Sequence, residues 1–335
     1  MTNPMQSMKA ALVETNDGPF RLTEIARPTV NSGEVLVRIH ASGVNPLDTK
    51  IRAGAAAHAR HPLPAVLGLD LAGVVEAVAA DVTTFHPGDE VYGMTGGVGG
   101  IQGTLAEFAS VDASLLAIKP ANLTMREAAA LPLVTITAWE GLVDRAKVQP
   151  GQTLLVQGGA GGVGHVAVQI GVAFGATVFA TDSAAKADFI RSMGATPVDY
   201  ASESIEGYVG RLTDGAGFDL VYDTGGSAVL DASFQAVKRF GHVVSCLGWG
   251  THALAPLSFK AGTYSGVFTL APLLNGIGRA HHGEILKAAA ALVEAGKLVP
   301  HLDPQVFSFD TVAEAYAAIT DRTAAGKIVV SIVEA

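Results

Sequence analysis

A glycine-rich stretch near the middle of the chain has the residue types and the spacing of a phosphate-binding loop. It follows an apolar run at 153–156 and precedes a segment, 163–174, that is typical of a helix. A loop without side chains lets the backbone approach a pyrophosphate, and the N–H groups at the helix start bind phosphates without a lysine. The strand and the helix favour a dinucleotide site over an ordinary glycine-rich turn. The G-x-G-x-x-G residues are Gly159, Ala160, Gly161, Gly162, Val163 and Gly164.

The composition indicates a protein of two domains with a small-molecule substrate. The chain of 335 residues is longer than a single hydrophobic core usually supports. Its formal net charge of -9 argues against nucleic acid and against an anionic membrane surface as partners. Cys246 is the single cysteine, so no internal disulfide forms and a cytoplasmic location is favoured. Residues 1–8 lack the apolar core of a secretory signal and are predicted to form a loose tail.

A long uncharged stretch, 148–181, suggests a membrane span on hydropathy alone. Pro150 and the glycines of the loop divide it into two pieces, each too short to cross a bilayer as one helix. A strand and a helix buried at the centre of a parallel sheet explain the missing charges better, because both faces of such a sheet are covered. No membrane partner is therefore expected.

The pattern of apolar residues changes near residue 125. Before it, short strands such as 35–39 and 73–78 predict a small β-rich domain. After it, strands and helices alternate, which predicts an α/β fold with a doubly wound parallel sheet of the Rossmann type. The expected strands are 154–157, 177–180, 220–223 and 243–247, the expected helices are 184–193, 229–240, 283–295 and 311–320, and residues 328–332 form a closing strand.

Six blocks spread over nearly the whole chain carry a family pattern: Ala41 to Asp48 (ASGVNPLD), Gly68 to Val75 (GLDLAGVV), Pro87 to Gly93 (PGDEVYG), Ala129 to Pro132 (AALP), the glycine loop, and Gly326 to Val329 (GKIV). Together they resemble the medium-chain dehydrogenase/reductase superfamily, and in particular its zinc-free quinone oxidoreductase-like, or zeta-crystallin-like, branch. The resemblance implies a GroES-like domain of residues 1–125 and 283–335 that clasps a Rossmann dinucleotide-binding domain of residues 126–282. It also implies an active site in the cleft between them and a homodimer through the dinucleotide domains.

The resemblance predicts that zinc is absent. In zinc-binding relatives a Cys stands where this chain has Asn45 and a His stands where it has Leu69, and the four-cysteine loop of those relatives is missing. No tetrahedral site of nitrogen and sulfur ligands can be assembled from these positions. Cys246 is interpreted as a small core residue and not as a nucleophile. Four further histidines are interpreted as solvated loop residues: His58, His61, His281 and His282.

The cofactor prediction favours NADP(H) over NAD(H). NAD sites hold the ribose 2'-hydroxyl with an acidic residue at the end of the second strand, whereas NADP sites neutralise a 2'-phosphate with a cation. Counting back from Gly194 places Thr181 at the acidic position. The carboxylate of the next residue, Asp182, would repel a 2'-phosphate if it turned inward. By resemblance, Lys186, Tyr200 and Arg322 lie around the adenosine phosphate or the cofactor. The predicted cofactor residues also include Asp182 and Ser183, which follow the acidic position; Asp182 departs from the relatives, which commonly have a small residue there.

The candidate catalytic residues follow the motif around Asn45, whose amide could donate to a carbonyl oxygen or to the nicotinamide ribose. A turn residue before Pro46 is the alternative explanation of Asn45. Thr137 is expected to face the nicotinamide, or else to pack inside a helix. Gly248 and Phe268 are expected walls of the nicotinamide pocket, with plain loop and core packing as the alternative. The predicted catalytic set is Asn45, Asp48, Lys50 and Thr137.

The sequence thus predicts an NADPH-dependent oxidoreductase that transfers a hydride to a quinone or an α,β-unsaturated carbonyl compound without zinc. An acceptor that is already electron-poor needs no Lewis acid, whereas an unactivated alcohol does. Two alternatives stay open. One is a nicotinamide-nucleotide-binding protein without turnover, because a fold does not fix a function. The other is an NAD(H)-dependent enzyme similar to an alcohol dehydrogenase.

Overall fold

The computed structural model describes residues 6–333, and these form two units. Unit 1 comprises the chain up to Leu133, the segment Leu270–Glu294, and the chain from Pro300 onward. Unit 2 comprises Val134–Thr269 and Ala295–Val299. The chain therefore passes from unit 1 to unit 2 after Leu133, returns at Leu270, and contributes one further short segment, Ala295–Val299, to unit 2 before it returns to unit 1 at Pro300.

The strands, in chain order, are β1 (Ser7–Val13), β2 (Arg21–Ala26), β3 (Glu34–Val44), β4 (Ala65–Val66), β5 (Asp70–Val78), β6 (Glu90–Met94), β7 (Phe108–Asp112), β8 (Leu116–Ile118), β9 (Thr153–Gln157), β10 (Thr177–Asp182), β11 (Thr196–Asp199), β12 (Phe218–Asp223), β13 (Val237–Ser245), β14 (Thr263–Gly266), β15 (Phe307–Ser308) and β16 (Ile328–Ser331). The α-helices are α1 (Pro46–Arg52), α2 (Met125–Ala129), α3 (Pro132–Trp139), α4 (Gly162–Ala173), α5 (Ala187–Ser192), α6 (Ile205–Thr213), α7 (Ala228–Ala236), α8 (Ala255–Ser258), α9 (Ala271–Asn275), α10 (Arg279–Glu294) and α11 (Val312–Thr320). A π-helix, Glu140–Arg145, follows α3, and short 3-10 turns lie at Ala57–Ala59, Ala113–Leu115, Ala184–Lys186 and Phe309–Thr311.

Unit 1 is the β-rich part of the molecule. Its larger sheet has the order β15-β16-β3-β5-β6-β8, with β7 also paired to β3, and its smaller sheet has the order β2-β1-β4. The closing strand β16 runs antiparallel to β3, with Ile328 opposite Val44. This pairing returns the C-terminal segment to the first unit, where β3 is buried along most of its length.

Unit 2 contains one parallel sheet in the order β11-β10-β9-β12-β13-β14. This is the strand order of a doubly wound Rossmann sheet, and it confirms the predicted fold class. The order reverses between β9 and β12, so the loop after β9 lies at the switch point where such sheets bind ligands. The uncharged α4 is buried over most of its length, and no helix in the described part of the chain is long and apolar enough to cross a membrane.

Three local predictions were wrong. Helix α7 ends at Ala236, and Val237 begins β13 opposite Phe218 instead of continuing the helix. The predicted tail is wrong at residues 7 and 8, because β1 begins at Ser7 and the side chain of Met8 is buried; residues 1–5 lie outside the described residues. His281 and His282 lie in α10, which begins at Arg279, and not in a loop; His281 is exposed, whereas His282 is fully buried.

The boundaries between the units also differ from the predicted 125/126 and 282/283. Helix α2 packs on β3 and β5, so the first crossing comes at Leu133. Helix α10 packs on β8, and the Tyr92 hydroxyl donates a 2.6 Å hydrogen bond to the carbonyl of Leu286. The return to unit 1 therefore occurs at Leu270.

We predict that Gly43→Ala destabilises unit 1 by about 1–3 kcal/mol, because its Cβ would lie 2.2 Å from the carbonyl oxygen of Ala129. Chemical denaturation measures the loss. Gly210→Ala is the control, since no heavy atom lies within 4 Å of its Cβ in α6 and removing a helical glycine stabilises by about 0.5–1 kcal/mol. Equal stability of Gly43→Ala and the parent would contradict the packing of α2 on β3.

Candidate cofactor and active site

The glycine loop connects β9 to α4 in the geometry that a bound pyrophosphate requires. Gly161 is the N-cap of α4, so Gly162, Val163 and Gly164 occupy the first helical turn, whose N–H groups no carbonyl of the same helix can reach. A Cβ at Gly164 would lie 2.0 Å from the carbonyl oxygen of Gly158. The missing side chain therefore lets α4 start close to β9, and the loop residues fit a dinucleotide.

Thr181 fastens the start of this loop from the neighbouring strand. Its carbonyl accepts hydrogen bonds from the N–H groups of Gly158 (3.1 Å) and Gly159 (2.9 Å). Its hydroxyl donates to Gln157 Oε1 at 2.6 Å, and the residue is buried. Thr181 thus holds the start of the loop in place, and its assignment to the ribose position stays a prediction.

Asp182 is the residue at the end of β10 that turns toward the loop. Its Oδ2 accepts a 3.0 Å hydrogen bond from the N–H of Ala160, and its Oδ1 accepts one of 2.9 Å from the N–H of Ser183. The Asp182 carboxylate is therefore turned inward, toward the glycine loop, which is the orientation expected to repel a 2'-phosphate. Lys186 is half-buried in the 3-10 turn that follows Ser183.

The other predicted cofactor residues occupy separate places. Tyr200 follows β11 and is 64% exposed. Gly248 is exposed three residues after β13, and the ring of Phe268 packs edge-on against Trp249 with centroids 5.9 Å apart. Arg322 is an exposed residue of unit 1, after α11. No contact of these residues decides a cofactor role, so their roles stay predictions.

A buried polar cluster in unit 1 surrounds Asn45, and we define it as Asn45, Asp48, Asp70 and Lys327. The Asn45 side chain donates from Nδ2 to Asp70 Oδ2 at 2.9 Å and accepts on Oδ1 from the ammonium of Lys327. Its backbone N–H donates to Asp48 Oδ2 at 2.8 Å, which caps the start of α1. The ammonium also donates to the carbonyl of Val44. Both ends of the Asn45 amide are therefore engaged inside unit 1.

Burial controls the protonation of this cluster. It raises the pKa of Asp48 to about 7, with repulsion from Asp70 as a smaller contribution, and it raises the pKa of Asp70 to about 6. The same burial lowers the pKa of Lys327, against the attraction of both carboxylates. Charges of opposite sign thus hold each other in a place where a single charge would be costly.

The donor set at the zinc positions of the resemblance does not fit a zinc ion. Asn45 presents a neutral amide oxygen that already accepts from the Lys327 ammonium, and Leu69 is a fully buried apolar side chain. Between residues 6 and 333 no group of three or more His, Cys, Asp or Glu side chains could hold a metal. Cys246 is far from a thiolate, because burial and Asp223 raise its pKa to about 12.

The remaining candidates, Lys50 and Thr137, do not join this cluster. Lys50 is exposed on α1. Thr137 is buried in unit 2, and its backbone carbonyl accepts a 2.6 Å hydrogen bond from the Tyr222 hydroxyl. Whether either touches a substrate stays a prediction. The sequence analysis assigned no chemical role to Asp70 or Lys327. Each is a charged residue within or directly beside an apolar strand, and such a position is a recognisable signal.

Comparison with known proteins gives the family. A profile described as "Alcohol dehydrogenase GroES-like domain" matches residues 31–121, and one described as "Zinc-binding dehydrogenase" matches residues 193–330. The 2-methylene-furan-3-one reductase of Solanum lycopersicum is 37% identical over 316 residues, covering 92% of this chain and 74% of the relative. The NADPH-dependent alkenal/one oxidoreductase, chloroplastic, of Arabidopsis thaliana is 35% identical with the same coverage.

A solved structure agrees over the whole fold. An alcohol dehydrogenase superfamily protein from Novosphingobium aromaticivorans has a TM-score of 0.96 and 62% identity, covering 97% of this chain and 100% of that one. The chain belongs to the medium-chain dehydrogenase/reductase superfamily, in its quinone oxidoreductase-like branch, and is an NAD(P)H oxidoreductase of that family. The family resemblance, the GroES-like unit and the Rossmann unit predicted from the sequence are confirmed.

We predict that Gly164→Ala weakens binding of NADH and NADPH by at least ~10-fold, because the new Cβ would force the helix start away from Gly158. Calorimetric titration measures the affinity, and circular dichroism shows that the variant is folded. Gly210→Ala, in a helix that lies apart from the loop in sequence, serves as the control. Undiminished affinity of folded Gly164→Ala would rule out this loop as the binding site.

The cluster makes a prediction about pH. Folded Asp48 keeps a proton up to about pH 7, whereas the unfolded chain releases it near the ordinary value of 3.8, so the free energy of unfolding falls as pH rises through this window. We expect Asp48→Asn to flatten this fall by up to about 1.4 kcal/mol per pH unit. Urea denaturation across the window measures it.

Asp81→Asn is the control for that experiment. Hydrogen bonds from Ser32 and Gly33 lower the pKa of Asp81, so its titration lies below the window. Identical pH profiles for Asp48→Asn and the parent would show that Asp48 is ionised throughout.

Proposed function

We propose that this protein reduces the activated carbon–carbon double bond of an α,β-unsaturated carbonyl compound, or a quinone, without a metal ion. The hydrogen source is a reduced nicotinamide dinucleotide, which supplies a hydride when it is bound. The acceptor would gain this hydride together with one proton from water, which leaves the dinucleotide in its oxidised form. Unit 2 contributes the backbone N–H groups of the glycine loop, which bind the pyrophosphate.

One observation carries the proposal: the positive charge beside Asn45 is the ammonium of Lys327. Zinc in alcohol dehydrogenation acts as a Lewis acid that stabilises an alkoxide and polarises a carbonyl. An ammonium donates hydrogen bonds but has no open coordination position, so Lys327, which is bonded to Asn45 and Val44, does not act on a substrate oxygen as zinc does. The acceptor must therefore be electrophilic by its own structure, as an enone or a quinone is.

The chemical names of two relatives support this substrate class. The tomato relative is called a 2-methylene-furan-3-one reductase, and such a compound has an exocyclic double bond conjugated to a ketone. The Arabidopsis relative is called an alkenal/one oxidoreductase. In the compounds that both names describe, the electrophilic carbon is conjugated with a carbonyl group. This conjugation spreads the charge of the incoming hydride onto oxygen.

Within unit 1, Lys327 and Asp70 act as positioning residues for Asn45. The ammonium holds the amide oxygen and the Asp70 carboxylate holds the amide nitrogen, so the amide has one orientation. Asp70 also accepts from the N–H of Leu133 at 2.9 Å, which fixes the start of α3. A homodimer, a small-molecule substrate and a cytoplasmic location stay predictions from the sequence.

We expect purified protein to oxidise NADH or NADPH in the presence of a 2-alkenal or 1,4-benzoquinone, and at least ~100-fold more slowly with the saturated aldehyde of equal length. The rate should be unchanged by a chelator. Absorbance of the reduced nicotinamide follows the reaction, and elemental analysis of the same sample gives its metal content.

Two results would contradict the proposal. Oxidation of a primary alcohol that disappears on chelation would indicate an alcohol dehydrogenase with a bound metal. Tight dinucleotide binding with no turnover of any acceptor would indicate a binding protein without catalysis.

A further inference from the structure

We infer that Asp182 makes this protein select NADH over NADPH. The inference rests on the dinucleotide site of the proposed function, but not on the identity of the acceptor. It replaces the preference for NADPH that the sequence suggested through Lys186, and it separates this chain from the relative whose name specifies NADPH.

The position of Asp182 is that of a ribose-binding carboxylate. It is the last residue of β10, the strand next to β9, and it lies 20 residues after Gly162, the first residue of α4, as the two residue numbers show. Its two oxygens each accept one backbone N–H, from Ala160 and from Ser183. A carboxylate has about four acceptor sites, so two remain for the hydroxyl groups of a ribose.

The same contact argues against a 2'-phosphate. The carboxylate occupies the N–H of Ala160, a loop donor that a phosphate could otherwise use. A phosphate oxygen cannot donate to Asp182, and two negative charges at hydrogen-bond distance repel each other. A ribose hydroxyl, in contrast, donates to the carboxylate.

The surrounding charges are also predominantly negative. Asp199 ends β11 and is the register partner of Asp182 on the adjacent strand, so two carboxylates lie side by side at this edge of the sheet. Asp188 pairs with Arg191 at 2.6 Å, which commits that guanidinium to the surface of α5. Lys186 therefore contributes one positive charge beside the two negative charges of Asp182 and Asp199.

Calorimetric titration of the full-length protein with NAD+ and with NADP+ tests the inference without any turnover. We expect NAD+ to bind at least ~10-fold more tightly than NADP+. Asp182→Ser should shift the ratio of the two dissociation constants toward NADP+ by at least ~10-fold, chiefly because NADP+ binds more tightly. Asp182→Asn keeps an acceptor for the Ala160 N–H, so it should remain folded and shift the ratio in the same direction.

Asp81→Asn is the control, because it removes an exposed carboxylate of unit 1 and leaves the Asp188–Arg191 pair intact, and its ratio should equal that of the parent. Tighter binding of NADP+ by the parent, an unchanged ratio in both Asp182 variants, or no binding of either dinucleotide would overturn the inference. Preference for NADP+ combined with reduction of an enone would leave the proposed function standing. Preference for NAD+ without reduction of any acceptor would support the role of Asp182 and contradict the proposed function.

Discussion

The buried ammonium of Lys327 is the constraint on which unit 1 depends. An isolated ammonium inside a protein is strongly unfavourable, and it is tolerated only with compensating charges and hydrogen bonds. Here Asn45, Val44 and the carboxylates of Asp48 and Asp70 supply them. Lys327, directly before the closing strand β16, is bonded to the junction of β3 with α1, and Asn45 continues the connection to Asp70 at the start of β5.

This arrangement also links fold to chemistry. The cation in the middle of the cluster is a side chain of the protein, and two of its three N–H donors are bonded to protein acceptors. A metal ion would instead offer an open coordination position to a substrate oxygen. Under the proposed function, the protein keeps the fold of a dehydrogenase and depends on a substrate that is itself electrophilic.

Much of the fold could be predicted from local patterns. The glycine spacing, the apolar run before it and the helix after it identified the switch point of the Rossmann sheet, because each of these signals lies within a few residues. Residues 237–240 were assigned to the helix that precedes them, whereas Val237 pairs with Phe218 and begins β13. That pairing spans almost 20 residues, so no local pattern contains it.

The candidate site was predictable in outline and not in orientation. Asn45 and Asp182 were identified, but the inward turn of the Asp182 carboxylate was not predictable, because the expected strand ended at residue 180 whereas β10 extends to Asp182 and brings its carboxylate to the N–H of Ala160. Lys327 was visible only as part of a motif. Its role depends on a contact with Asn45, 282 residues away in sequence, which the strand pairing of β16 with β3 creates.

The position of the transferred hydrogen tests the central claim most directly. The reaction would be run with a reduced dinucleotide that carries deuterium at C4 of the nicotinamide and with a simple enone, and the product would be analysed by nuclear magnetic resonance. Deuterium at the β-carbon of a saturated ketone is the predicted result, because the conjugated double bond is the electrophile. Deuterium at the carbonyl carbon of an allylic alcohol would show that the protein polarises a carbonyl as a metal site does, and would contradict the account.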